Sequence, residues 1–234
     1  MTVPQYQPDR GDVRVFRRSN RLAYIIRQLP ARLEVLAQDL RCPADGRVLD
    51  YGCADVPYRR FFPDSVEYLA ADLPGNPEAT VTINPDGTLP LEDHCVDAAL
   101  STQVLEHVTD PGLYLNECAR VLRPSGRLLL STHGFMVYHP DPVDFWRWTS
   151  AGLREAVERA GLRVVRLEGI MGLGATGLQF VQDAFIYRLP RRARPVLAYI
   201  MQSAIAAVDR RESPEEREKN ALVFALVAEK PIST

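Results

Sequence analysis

Apolar residues recur at two different periods along this chain, and the switches between them mark its elements. Leu22, Ile25, Ile26 and Leu29 follow the i, i+3, i+4, i+7 spacing of a helical stripe, and Leu33, Leu36, Ala37 and Leu40 repeat it. Pro30 lies between the two stripes and predicts a break or a fresh start there. Short apolar runs follow at 47–50, 68–71, 81–83 and 96–100, each bounded by turn residues, and read as strands. Pro57 is predicted to open a helix after the first of them, with Phe61 and Phe62 in the core and Tyr58 near any ligand. Asp110 can cap a helix whose Tyr114, Cys118, Val121 and Leu122 share one face, stopping at Pro124-Ser125-Gly126. A strand at 127–131, a helix at 150–160 closed by Gly161, and strands at 163–167 and 221–228 complete the series. Strands alternating with helices predict an α/β fold: a doubly wound, mainly parallel sheet covered on both faces.

Between the last two strands the alternation is interrupted by an apolar and basic insertion, about 172–211. Two helices are expected there, joined around 190–195, and Ser213 with Glu216 has the spacing of a capping box. Met171, Met201 and the stretch 200–208 suit a substrate lid, a dimer face or a membrane-surface helix. Arg188, Arg191, Arg192 and Arg194 suit attraction to anionic lipid or a phosphorylated substrate, although a solvated basic turn is the simpler reading. One domain is expected: N-terminal helices (1–45), a binding core (46–170), the helical insertion or lid (171–219) and a final strand (220–234).

Composition narrows the function. The chain has 234 residues, 46% apolar and 25% charged, enough for a core that contains a cleft. A net charge of −2 supplies no general cationic field for nucleic acid or an anionic membrane, and no NPPY-type base-flipping motif occurs. The four cysteines form no CxxC pair and give no zinc-ligand spacing, so no metal is expected. The first residues lack an apolar segment, and no apolar run approaches the roughly 20 residues of a membrane span. A cytoplasmic protein without stable membrane insertion is expected, with a homodimer possible.

The candidate chemistry gathers at strand ends. Residues 50–55 read Asp-Tyr-Gly-Cys-Ala-Asp, in which Gly52 permits a tight turn and Ala54 leaves room for a ligand above it. Asp72 closes the second strand 22 residues after Asp50, a spacing that suits a carboxylate on ribose hydroxyls. A dinucleotide site needs G-x-G-x-x-G before a helix, but the last position here is Pro57, and Asp55 places negative charge where a diphosphate would lie. Acidic groups instead suit a cationic ligand such as S-adenosyl-L-methionine (AdoMet), with its ammonium and sulfonium groups.

VLDYGCA (48–54) resembles the glycine-rich first motif of the class I AdoMet-dependent methyltransferase superfamily, and LAAD (69–72) its second-strand acid. LPLEDHCVDAALSTQVLEHVTDP (89–111) and RVLRPSGRLLLST (120–132) resemble its fourth- and fifth-strand segments. YHPDPVDFWRWTSAGL (138–153) is similar to a segment of members associated with sugar and natural-product pathways. The resemblance covers about 45–170. It implies a Rossmann-like seven-strand sheet with an antiparallel last strand, and O- or N-methylation of a small metabolite. Asp50, Gly52, Cys53 and Ala54 would surround the amino-acid end of AdoMet, Asp72 would hold its ribose, and Leu73 would pack on adenine. Asn84 or Asp86 would approach the adenine amino group, and Thr102 and Gln103 would line the methionine side. Ala54 departs from the usual glycine and is tolerable if its backbone angles are ordinary.

Methyl transfer needs a base only when the acceptor carries a proton, as an alcohol does. His139, in a loop with Asp141 and Asp144, and His133, after the fifth strand, are the candidates; His107 reads as packing under the cofactor. Asp144, Trp146 and Arg147 are candidate acceptor contacts, against a plainer reading in which the tryptophans seal the core and Arg147 pairs with Asp144. A noncatalytic AdoMet-binding module and a nicotinamide-dependent oxidoreductase remain as alternatives.

Overall fold

A computed structural model describes residues 17–140 and 143–232. Helix α1 (Ala23–Ala37) leads into β1 (Arg47–Tyr51), β2 (Glu67–Asp72), β3 (Val81–Thr82) and β4 (Val96–Thr102). Helix α2 (Pro111–Val121), β5 (Leu122–His133), α3 (Ser150–Arg159) and β6 (Arg163–Gly172) follow, then α4 (Leu173–Ile186), α5 (Arg194–Asp209), α6 (Pro214–Lys219) and β7 (Ala221–Glu229). The seven strands form one sheet in the order β3-β2-β1-β4-β5-β7-β6. β7 runs antiparallel between β5 and β6, and the remaining pairings are parallel. This is the expected α/β architecture, with its antiparallel last strand in sequence lying inside the sheet.

Local rules set the element ends. Asp110 accepts the Leu113 N–H at 3.0 Å ahead of Pro111, and Thr149 accepts the Gly152 N–H at 3.0 Å. Ser213 and Glu216 close a complete capping box. Gly161 turns the chain after α3 with φ +83°, where a side chain would be strained. β7 is buried from Ala221 to Ala228, which is why its sequence shows no polar alternation.

Each face of the sheet carries its own apolar layer. Leu49, Tyr51, Leu128 and Leu130 meet Tyr114 and Leu115 of α2 and Leu153 of α3. Val48, Leu100 and Leu129 meet Leu33 and Leu36 of α1, with Ala175 of α4 and Ile205 of α5.

Three expectations are corrected. Pro30 does not split the N-terminal helix: α1 runs through it, and the fully buried Leu33 and Leu36 hold the far half on the sheet despite the missing N–H. No helix opens at Pro57. Residues 52–66 hold the turn, a single 3-10 turn at Arg59–Phe61 and Pro63 before β2 begins, which leaves no room for one. Finally, α2 ends at Val121 instead of continuing to the Pro124–Gly126 turn, because Leu122 already pairs with Val96 of β4.

Because α1 roofs the sheet, it is a structural part of the domain. Leu36→Ala is expected to lower stability by about 2–5 kcal/mol, measured as a shift of the denaturant midpoint at unchanged m.

Candidate active site at the carboxyl edge of the sheet

Strand order reverses between β1 and β4, so the crevice beyond their carboxyl ends is the natural ligand position of this fold. The turn after β1 is built to lie close to that crevice. Gly52 has φ +88°, and a Cβ there would stand 2.4 Å from Cγ2 of Val104, so only glycine fits. The Gly52 and Cys53 N–H groups donate to the Ala71 carbonyl at 2.8 and 3.1 Å, binding the turn to β2. Ala54 has φ +50°, a left-handed conformation and not the ordinary one that its sequence position requires for comfort. Val56 (φ +48°) and Gln103 (φ +56°) are strained in the same way, concentrating strain along this edge.

Asp72 fixes the strained turn. Its Oδ2 accepts the Ala54 N–H at 2.9 Å and Asn76 Nδ2–H at 2.7 Å, while Oδ1 accepts the Leu73 N–H at 2.8 Å. Asn76 also donates to the Ala54 carbonyl at 2.7 Å. Cys53 is buried against the same carboxylate, and burial pushes its thiol pKa up, so it stays a neutral packing group.

Asp50 is wholly buried, and Tyr68 donates its hydroxyl to Oδ2 at 2.6 Å. Its Oδ1 has no partner. Burial raises the Asp50 pKa to about 7, the Tyr68 bond opposes that, and the nearby Asp72 adds to it. A desolvated carboxylate oxygen without a donor, beside a second carboxylate, is a seat for a cation.

The remaining cofactor candidates flank this centre. Thr102 is buried at the end of β4, and Gln103 donates Nε2–H to Ser131 Oγ at 3.1 Å. Asn84 and Asp86 form a small turn at the end of β3. Asn84 donates to Thr88 Oγ1 at 2.9 Å, and exposed Asp86 accepts both the N–H and hydroxyl of Thr88. Tyr51 ties that turn to β1 by donating to the Gly87 carbonyl at 2.5 Å.

On the acceptor side, the ends of β4 and β5 carry an imidazole group. The rings of His107, His133 and His139 lie 5.8–6.2 Å apart, centre to centre. Among the described residues they form no metal-binding group. His133, expected as a possible base, is buried, and burial depresses its pKa to about 3, with Arg147 and the neighbouring imidazoles adding to the effect. So weak a base does not suit the proton-accepting role expected of it.

Fully buried Glu106 lies 3.2 Å from His133 Nε2, without the alignment of a hydrogen bond, and accepts the Thr132 hydroxyl at 2.9 Å. Burial lifts its pKa to about 7.

Asp144 does not orient an imidazole. It holds Arg147 and accepts the His139 backbone N–H at 2.7 Å. Asp141 lies outside the described residues. His107 is the residue the sequence undervalued: its Nδ1 is 2.6 Å from the Val143 carbonyl, which can only accept. Nδ1 therefore carries the proton, and Nε2 presents a lone pair.

The segment 143–148 crosses this group as a strap. Phe145 and Trp146 N–H groups donate to the Glu106 carbonyl, Trp148 N–H to the His133 carbonyl, and Trp146 Nε1–H to the Val108 carbonyl. Trp146 is exposed and seals no core, while Trp148 packs against the α2–α3 layer. Arg147 pairs with Asp144 and donates to the Met136 and Val137 carbonyls, so the plainer reading of that residue holds.

Together, the switch-point crevice, acid-bound turn and inserted antiparallel strand define a methyltransferase-type α/β domain. With no helix opening after β1, the seat that a dinucleotide diphosphate needs is missing. Residues 49–130 match the methyltransferase domain family. The chain is 33% identical over 156 residues to a protein of Mycolicibacterium smegmatis named a probable S-adenosylmethionine-dependent methyltransferase, covering 59% of this chain and 61% of that one. It is 30% identical over 125 residues to a ubiquinone biosynthesis O-methyltransferase of Bradyrhizobium, covering 48% and 49%. The chain thus spans less than two thirds of the length of these relatives. A SAM-dependent methyltransferase structure from Aquifex aeolicus shares the fold, with a TM-score of 0.51 at 15% identity over 90% of this chain and 98% of that one. Over residues 49–130 the chain thus resembles the methyltransferase domain family, and relatives named as S-adenosylmethionine-dependent support AdoMet as the ligand of this crevice. The unpaired Asp50 oxygen and the close-approach turn fit that cation.

Two expectations follow. Ala54→Gly relieves the left-handed strain and should raise stability by about 1 kcal/mol, or about 2–4 °C in Tm. Between about pH 4.5 and 6.5, folded Asp50 and Glu106 retain protons that unfolded carboxylates release, whereas folded His133 lacks the proton that an unfolded imidazole binds. These groups leave a net excess of one proton on the folded side, so stability should fall as pH rises, by about 1.4 kcal/mol per pH unit. Asp50→Asn should bring that slope near zero in denaturation curves collected across the window.

Proposed function

We propose that this chain methylates an oxygen or nitrogen of a small metabolite, such as a sugar or natural product. The carrying observation is the unpaired, buried Asp50 oxygen beside the Asp72-held turn, with an imidazole group at the ends of neighbouring β4 and β5. AdoMet, when bound, supplies an activated methyl carbon for in-line displacement. Asp50 accepts from its ammonium group, and the Asp72 Oδ1 edge serves the ribose. Leu73 packs against the adenine, and Thr102 and Gln103 line the methionine side. His107 Nε2 takes the proton of a hydroxyl acceptor, and His139, 5.9 Å away between ring centres, completes the mouth. Glu106 and His133 position the strap through their carbonyls. The likeness to O-methyltransferases supports an oxygen acceptor.

Calorimetry with AdoMet and S-adenosylhomocysteine tests the cofactor half. Binding is expected, with Asp50→Asn weakening AdoMet by about tenfold or more through loss of a charge-assisted bond. No binding of either ligand at millimolar concentration would sink the reading. With a hydroxyl acceptor in hand, His107→Gln should lower kcat by about 10²–10⁴ at unchanged AdoMet affinity. An unchanged kcat would remove His107 from the chemistry.

A further inference from the structure

The α4–α5 hairpin buries an unusual number of polar side chains and exposes large apolar ones. Helices of a soluble domain bury an apolar stripe and expose a polar one. Here the buried faces carry Thr176, Gln179 and Gln182 of α4 and Gln202 and Asp209 of α5, interleaved with the apolar Ala175, Ile186, Ala198 and Ile205. Each of the polar groups is satisfied internally. Gln179, Gln182 and Gln202 all donate to the Arg21 carbonyl at 2.7–3.1 Å, and Gln202 also donates to Gln179 at 2.9 Å. Tyr24 gives its N–H to Gln202 at 2.8 Å and its hydroxyl to Asp209 at 2.6 Å.

Large apolar side chains face outward. Leu173 and Val181 of α4 are 58% and 52% exposed, with Phe185 at 50% about one turn beyond Val181. Val196 and Ile200 of α5 are 61% and 58% exposed, flanking Tyr199. Nothing in the described chain covers this surface, and large apolar side chains exposed together mark an interaction face.

Charge selects the occupant. Residues 173–209 contain four arginines and two acids, Asp183, which pairs with Arg21 at 2.9 Å, and the buried Asp209, which accepts the Tyr24 hydroxyl. Arg188, Arg191 and Arg192 stand exposed at the hairpin tip, and Arg188 and Arg194 lie over the rings of Phe185 and Tyr187. A second copy meeting this face would bring arginines without carboxylates to receive them. Anionic phosphates do receive them, and tyrosine and phenylalanine at the border suit the polar–apolar boundary of a bilayer. The helices, of 14 and 16 residues, are too short to cross, and no helix among the described residues is long and apolar enough to do so.

We propose that the α4–α5 hairpin docks this protein onto the surface of an anionic membrane. The outer stripe of Leu173, Val181, Phe185, Val196 and Ile200 lies in the interface, and the arginine tip contacts lipid phosphates. This stands whatever the methyl acceptor is.

Flotation of the full chain with vesicles tests it. Binding is expected to phosphatidylglycerol-containing vesicles and not to pure phosphatidylcholine, and it should weaken as salt rises. The double variant Arg191→Gln/Arg192→Gln should lose about thirtyfold in vesicle affinity, at about fivefold per arginine, with AdoMet binding and the thermal transition unchanged. Phe185→Ser/Ile200→Ser should also lose vesicle binding, with the same folding controls. Equal binding to neutral and anionic vesicles would overturn the proposal, as would none to either. A light-scattering dimer that Phe185→Ser/Ile200→Ser converts to monomer, without vesicle binding, would assign the face to a second copy instead.

Discussion

The site depends on one carboxylate reaching across two strands. Asp72 leaves the end of β2 and takes the Ala54 N–H of the β1 turn, the Leu73 N–H and the Asn76 amide. Those bonds hold a non-glycine residue at positive φ and bring the turn under the crevice. They also keep a negative charge close to Asp50, whose own ionisation is opposed by burial. Two acids this close repel each other, and a cation bound beside them would relieve both. The acidic character of this strand end is therefore built into the fold before any ligand arrives.

On the acceptor side the imidazoles are differentiated by surroundings more than by identity. His133 is enclosed and loses its basicity to desolvation. His107, one short loop from β4, has its tautomer set by a backbone carbonyl. The same side chain is thus enclosed in one place and held by a carbonyl with its other nitrogen free of that contact in the other, with the strap donating to the carbonyls of Glu106 and His133.

Much of the fold was legible because it follows local rules. The strand runs, the caps at Asp110 and Ser213, the glycine after α3 and the two-acid spacing all depend on neighbours in sequence. The losses came where distant contacts decide. Pro30 is carried through a helix by the packing of Leu33 and Leu36, and the helix expected at Pro57 is excluded by how soon β2 begins. Tyr68 reaches Asp50 only through the β1–β2 register, and Asn76 in its Gly-Asn-Pro turn gives no outward sign of bridging two loops. His107 needed the Val143 carbonyl, supplied by a loop that sequence spacing alone does not bring near. Which face of α4 and α5 holds the glutamines was not legible either, because apolar and glutamine positions interleave along both helices and only three dimensions show which set is inside.

The strap over the acceptor mouth has an evolutionary corollary. Residues 145, 146 and 148 are pinned by main-chain amides to the carbonyls of Glu106 and His133, so the path of the segment does not depend on which side chains it carries. Aromatic rings along it can be exchanged for others while the catalytic floor beneath keeps its shape. The side chains of the strap can thus vary while its path over the ends of β4 and β5 is kept.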